Sequence, residues 1–284
     1  MPIAQLISPQ ALKDRQEQPG LIILDCRFAL EDPDYGRCSY AEGHIEGAQY
    51  ADLERDFSGP VSKGVTGRHP LPDAQTLLEQ LRSWGINEDS DVVLYDDGPG
   101  AFAARAWWLL MWLGKRDGVF ILDGGLKAWH AAGFPLSIDA VSRPRGSFNG
   151  KPDDRLLISA EQLLERLGSA GLTLIDARAE ARFRGDVEPI DPVAGHIPGA
   201  QCAAFSENLD SNGCFLPAEQ LKQRFAEQLG ERSPEELVAY CGSGVTACHN
   251  LFALALAGYP VGKLYAGSWS EWINDPQREI ATGA

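Results

Sequence analysis

No stretch of this 284-residue chain stays apolar for the ~20 positions needed to cross a bilayer. The first residues, Met1-Pro2-Ile3-Ala4-Gln5, lack the basic region, apolar stretch and cleavage site of a secretory leader. Both absences lead us to expect a cytoplasmic protein with no membrane partner. Positive charge is also scarce: 25 Lys and Arg stand against 40 Asp and Glu, a formal net charge of −15. That balance excludes a nucleic-acid-binding face. It also repels small anions at long range, so any anionic substrate needs a local group of arginines. The six cysteines (Cys26, Cys38, Cys202, Cys214, Cys241, Cys248) include no CxxC pair and no metal-ligand spacing. We therefore expect free thiols in a reducing compartment and no bound metal.

What the chain does contain is itself, twice. Gly43-His44-Ile45-Glu46-Gly47-Ala48 returns as Gly195-His196-Ile197-Pro198-Gly199-Ala200. Asp25-Cys26-Arg27, closing the apolar run from Leu21, matches Asp176-Ala177-Arg178, closing the run from Leu172. Val92-Val93-Leu94-Tyr95 matches Leu237-Val238-Ala239-Tyr240, and Gly124 and Trp129 match Gly267 and Trp272. Four matches in one order, spaced by about 150 residues, indicate a duplicated domain rather than a solenoid repeat. In each half, short apolar runs alternate with helix-period segments such as 74–84, 102–113, 159–167 and 218–229. Ser159 is placed to cap one of these and Pro217 to start another. This pattern predicts an α/β fold with a mainly parallel sheet flanked by helices in each half. The boundaries expected are 1–141 for the first domain, 142–157 for a Pro-, Gly- and charge-rich linker, and 158–284 for the second.

The most informative segment is Ala239-Tyr240-Cys241-Gly242-Ser243-Gly244-Val245-Thr246-Ala247. It sets a cysteine at the carboxyl end of a strand, where open α/β sheets bind ligands. A glycine-bearing loop and an apolar helix from Thr246 follow. That order wraps backbone N–H groups around the sulfur and aims a helix N-terminus at it, which favours the nucleophilic thiolate. Gly242, Gly244, Val245 and Thr246 are the positions expected to cradle an anion. The equivalent of Cys241 in the first half is Asp96, which has no nucleophilic sulfur and would repel an anion. The first half is thus expected to be a non-catalytic copy.

These residues resemble the two-domain rhodanese-type sulfurtransferases over nearly the whole chain, through the paired GHI-x-GA segments, the LIDAR-type strand end, the GG-x-x-AW element and the cysteine loop. The loop CGSGVTA is similar to that of the mercaptopyruvate branch rather than the CRKGVTA form of the thiosulfate branch. The resemblance implies that Cys241 accepts sulfur from a small anionic donor, 3-mercaptopyruvate in preference to thiosulfate. It then bears a persulfide and passes the sulfur to a small thiol, thioredoxin or cyanide, with no cofactor. It further implies that Arg182 binds the donor carboxylate and that Ser243 and His69 sit beside the reacting sulfur. The acidic partner of that imidazole would fall at Asp52 or Glu54. A second donor arginine, expected just before the second GHI element, is missing from Glu188 to Ala194, where Arg184 or Arg68 could take its place.

Plainer readings apply to several of these residues. His44 and His196 recur in both copies and are expected to be structural, as are the ion pairs of Arg27 and Arg178. Trp107, Trp108 and Trp112 fall at helical spacing and belong in a core, and Cys248 reads as helix filling. Two other classes compete. A cysteine phosphatase would need an arginine six places after the cysteine, where Ala247 stands. A non-enzymatic sulfur carrier would need a degenerate loop, and the second copy is intact.

Overall fold

The structure, a computed structural model, describes residues 3–283. The chain folds into two compact units, each drawing on distant segments. One comprises Met1–Gly59, Pro72–Asp153 and Ser211–Phe215; the other Pro60–Leu71, Asp154–Asp210 and Leu216–Ala284.

The first unit runs β1 (Gln5–Ile7), α1 (Pro9–Arg15), β2 (Leu21–Asp25), α2 (Tyr35–Glu42), β3 (Ala48–Tyr50), α3 (Ala74–Ser83), β4 (Asp91–Tyr95), α4 (Ala101–Trp112), β5 (Val119–Leu122) and α5 (Gly125–Ala131). Its sheet has the order β1-β5-β4-β2-β3, with every pairing parallel. Strand β2 is buried along its whole length, as a strand covered on both faces must be, so it reads as an unbroken apolar run. Helix α4 is buried at nearly every position, and Trp107, Trp108 and Trp112 all lie in the core.

The second unit repeats this plan with α6 (Ala160–Arg166), β6 (Thr173–Asp176), α7 (Glu180–Arg184), β7 (Gln201–Cys202), α8 (Ala218–Leu229), β8 (Leu237–Tyr240), α9 (Thr246–Leu256), β9 (Lys263–Leu264) and α10 (Ser268–Trp272). Its four parallel strands have the order β7-β6-β8-β9. Ser159 caps α6 in a reciprocal capping box with Gln162, and Pro217 immediately precedes α8.

The repeated sequence elements build the same contacts in both units. Arg27 pairs with Asp25 and donates to the Gly43 carbonyl at 2.7 Å; Arg178 pairs with Asp176 and donates to Gly195 at the same distance. Tyr95 Oη accepts the N–H of Ile45, and Tyr240 Oη that of Ile197. His44 and His196 each place Nδ1 within 2.8 Å of a backbone carbonyl and stack on an aromatic ring. These are structural roles, as the duplication implied.

Two segments fall outside the expected layout. Residues 142–153, read as the start of a linker, pack on the first unit. There Gly146 donates to Arg82 O, Phe148 donates to Ile86 O, and the Phe148 ring is buried. Residues Pro60–Leu71 belong to the second unit, although they lie within the first sequence repeat.

Candidate active site

Strand β8 ends at Tyr240, and the next residue is Cys241. Its carbonyl accepts the N–H of Trp269 at 2.9 Å, and the Gly242 carbonyl accepts that of Ser270 at 2.9 Å, so the first turn of α10 pins the loop. The Cys241 N–H donates to Ser268 Oγ at 3.1 Å, while that hydroxyl donates to the Tyr265 carbonyl at 2.9 Å. Ser268 holds a φ of 55°, the left-handed region a side chain rarely adopts, and these two bonds fix it there. Gly244 has a φ of 78°, and a Cβ there would lie 2.4 Å from the Ala266 carbonyl. Only glycine fits, and its N–H donates to Cys241 Sγ at 3.1 Å. Val245 then caps α9 and Thr246 begins it, directing the helix N-terminus at the loop.

Segment Pro60–Leu71 brings further side chains to this loop. Thr66 O accepts from Asn274 Nδ2 at 3.1 Å, the Arg68 N–H donates to Ser270 Oγ at 3.1 Å, and Gly67 lies against the Gly267 carbonyl so closely that a Cβ would be 2.4 Å away. Held in this way, His69 sets Nδ1 2.8 Å from Ser243 Oγ. Cys241, Ser243 and His69 are all buried, with exposures of 2%, 7% and 4%. Two guanidinium groups cover the loop: a Cβ on Gly242 would lie 2.8 Å from Arg68 Nη2 and 3.6 Å from Arg182 Nη2.

Carboxylates neutralise both arginines. Arg182 donates from Nε and Nη2 to Glu188 at 2.7–3.1 Å and from Nη2 to Asp191 Oδ2 at 3.1 Å. Arg68 Nη1 donates to Asp191 Oδ1. Burial works against the Glu188 carboxylate, but the Arg182 bonds and the N–H groups of Asp191 and Ile190 prevail and hold it below the usual range. Asp191 differs: burial raises it despite both arginines.

Cys241, Ser243, His69, Arg182, Gly242, Gly244, Val245 and Thr246 are thus brought together. Arg184 is not: it pairs at the surface with Asp186 at 3.2 Å and Glu180 at 4.0 Å. Asp52, suggested as the partner of the imidazole, instead accepts the N–H groups of Glu54 and Arg55 within the first unit, and Glu54 is exposed. The sequence pattern does not single out Asp191, Glu188, Ser268 or Ser270; in the stretch 188–194 the only local signal is its two acids and the lack of an arginine. Cys26 and Cys202 offer poor nucleophiles. Burial and the charge of Asp25 raise the Cys26 thiol well above its ordinary range, and burial with Asp176 pushes Cys202 up to about 11. Among the described residues no group of acids, histidines and cysteines could hold a metal ion, and no helix is long and apolar enough to cross a membrane.

The rhodanese-like domain model matches this chain twice, over residues 8–132 and 159–275. The chain belongs to the rhodanese family. It is 66% identical over 283 residues to the probable 3-mercaptopyruvate sulfurtransferase of Pseudomonas aeruginosa, covering 100% of both chains. It is 34% identical to the thiosulfate sulfurtransferase of Gallus gallus, covering 95% of this chain and 93% of that one. The crystal structure of the Escherichia coli 3-mercaptopyruvate enzyme superposes with a TM-score of 0.80 at 32% identity, over 94% of this chain and 100% of that one. Each of the two rhodanese-like domains is an α/β unit with a parallel sheet, as the repeats predicted. In the second, the cysteine loop follows the strand whose counterpart in the first ends at Tyr95, just before Asp96.

Proposed function

We propose that this protein is a sulfurtransferase that takes sulfur from 3-mercaptopyruvate onto Cys241 and hands it to a thiol, thioredoxin or cyanide. The reading rests above all on a buried cysteine whose sulfur accepts the Gly244 N–H beside the Ser243–His69 pair and the Arg182 guanidinium. The Pseudomonas aeruginosa and Escherichia coli relatives, matched over 100% and 94% of this chain, bear the same activity in their names.

The Cys241 thiolate attacks the donor sulfur. The carbon–sulfur bond breaks, and its electron pair passes to carbon as the enolate of pyruvate. The proton that leaves the donor thiol reaches that carbon through Ser243 and His69, giving pyruvate and a Cys241 persulfide anion. The N–H groups of the loop stabilise charge on the two sulfurs, each worth ~3 kcal/mol where well placed. Arg182 supplies a planar fork for the donor carboxylate. An acceptor thiolate then attacks the outer sulfur and restores Cys241, a double displacement with ping-pong kinetics. Thiosulfate, the substrate in the name of the Gallus gallus relative, is the second candidate donor, with sulfite as leaving group.

Steady-state turnover on both donors, with mass spectrometry of the Cys241 peptide, tests the reading. We expect an adduct of about 32 Da, one sulfur atom, and a higher specificity constant for 3-mercaptopyruvate. Arg182→Ala should cost ~2–4 kcal/mol in transition-state binding. Preference for thiosulfate would reverse the choice of donor, and no adduct from either donor would leave only a binding role.

A further inference from the structure

The arginines over the cysteine loop are not waiting with free charge. Arg68, Arg182, Glu188 and Asp191 sum to zero, in a protein whose formal net charge is −15. An incoming anion therefore finds no uncompensated positive field. Burying a third carboxylate beside two that are already paired would be costly. Binding is favourable only if one resident acid gives way, and the two acids are held very differently.

Glu188 is anchored. It takes three hydrogen bonds from Arg182, accepts the N–H groups of Ile190 and Asp191, and lies 3.3 Å from Arg178. Asp191 has no such backbone anchor among its described side-chain bonds. Its two oxygens are shared out, Oδ1 to Arg68 and Oδ2 to Arg182, and its side chain is 3% exposed. It thus spans two guanidinium groups that both face Gly242, the residue after the nucleophile. Three nitrogens remain outside these pairings. Arg68 Nε is buried without a partner, and Arg68 Nη2 and Arg182 Nη1 face the Gly242 position at 2.8 and 3.8 Å.

We propose that Asp191 is an internal stand-in for the acid group of the sulfur donor, and that the donor displaces it from Arg68 and Arg182, which makes Arg68 a donor-binding residue. Glu188 keeps Arg182 oriented while the exchange takes place. Between donors the loop is closed off by its own carboxylate, so neutral thiols meet no open cation and only an anion can trade places with Asp191. The inference rests on Cys241 being the sulfur acceptor.

The test compares alkylation of Cys241 by iodoacetate and by iodoacetamide, followed by mass spectrometry of its peptide, in the wild type and in Asp191→Asn, Arg68→Gln and Arg68→Lys. The neutral reagent is the internal reference for access and folding. Asp191→Asn should raise the iodoacetate-to-iodoacetamide rate ratio about fivefold, Arg68→Gln should lower it by a similar factor, and Arg68→Lys should fall between Arg68→Gln and wild type. The KM for 3-mercaptopyruvate should fall in Asp191→Asn and rise in Arg68→Gln. A ratio that drops or stays level in Asp191→Asn would make Asp191 a strut for the arginines and overturn the proposal. A ratio that moves as expected in a protein that takes no sulfur from either donor would instead overturn the transferase reading and, with it, the sulfur donor as the displacing anion, leaving only the exchange of Asp191 for an anion at Arg68 and Arg182.

Discussion

Two loops built on one backbone plan carry Asp96 in the first unit and Cys241 in the second. The Asp96 carbonyl accepts the N–H of Leu126 at 2.8 Å and the Asp97 carbonyl that of Lys127 at 3.0 Å. The Cys241 and Gly242 carbonyls accept from Trp269 and Ser270 in the same way. What differs is the side chain at the centre. The Asp96 oxygens collect four backbone N–H groups, from Gly98, Gly100, Phe102 and Ala103. The first loop is an anion site filled by its own carboxylate. Cys241 is shorter by one branch and brings no charge-bearing oxygens, and the described loop N–H on its sulfur is that of Gly244, at 3.1 Å. A single position thus separates a loop filled by its own carboxylate from one that presents a cysteine sulfur.

The sharpest way to break this comparison is to make the loops alike. Cys241→Asp should abolish sulfur transfer from either donor, a loss of at least about a thousandfold in turnover. It should also melt no lower than Cys241→Ala, because the carboxylate can take the donors that Asp96 takes in the first unit. Turnover assays with calorimetry on the two variants check both points. A Cys241→Asp protein less stable than Cys241→Ala would mean that the two loops are not equivalent cradles.

The reverse change removes the seal. Burial raises the Asp96 carboxyl above the ordinary aspartate range, and its four N–H donors work against that rise. Asp96→Ala leaves those donors buried without an acceptor. We expect a loss of ~2–4 kcal/mol by denaturant titration, since orphaned donors cost more than relief from one buried charge returns. Donor turnover per folded molecule should persist, because Cys241, the proposed nucleophile, lies in the other unit. A stability change below about 0.5 kcal/mol would show that the four bonds do little to offset burial.

Much of this contrast was legible in the sequence because it is local. The apolar run 237–240 and the helix start at Thr246 fix where Cys241 sits, and the offset repeat places Asp96 opposite it. The twin histidines and arginines could be set aside as structural for the same reason: a group present in both copies cannot explain what only one copy does. What escaped was tertiary. Nothing local says that Pro60–Leu71 joins the second unit, since its prolines and glycines give only an irregular strap whose partners, Ser270, Ser243 and Asp191, lie more than a hundred residues away. Residues 142–153 look like a linker by composition, and only the single aromatic Phe148 hinted that they are packed. Arg184 and Arg182 share a helix and a charge, and the fold separates their roles by turning one to solvent and one to the loop.

A third carboxylate sharpens the comparison at its weak end. Asp56 is partly buried where Asp96 is fully buried, and it accepts one described backbone N–H, that of Asp52 at 2.8 Å, rather than four. Burial pushes its carboxyl up to about 6, with the negative charge of Asp52 adding to the rise. The folded protein therefore holds this proton more tightly than the unfolded chain. The associated stability is fully present below about 4 and is lost as the pH rises through about 6. Asp56→Asn keeps an oxygen for the Asp52 N–H and removes the charge. It should raise stability at pH 7 by on the order of 1–2 kcal/mol, leave it nearly unchanged at pH 4, and flatten the stability profile between those values. Paired urea titrations at the two pH values measure the difference. Equal effects at both would mean that the single donor already balances burial, and that four are more than an aspartate in this fold requires.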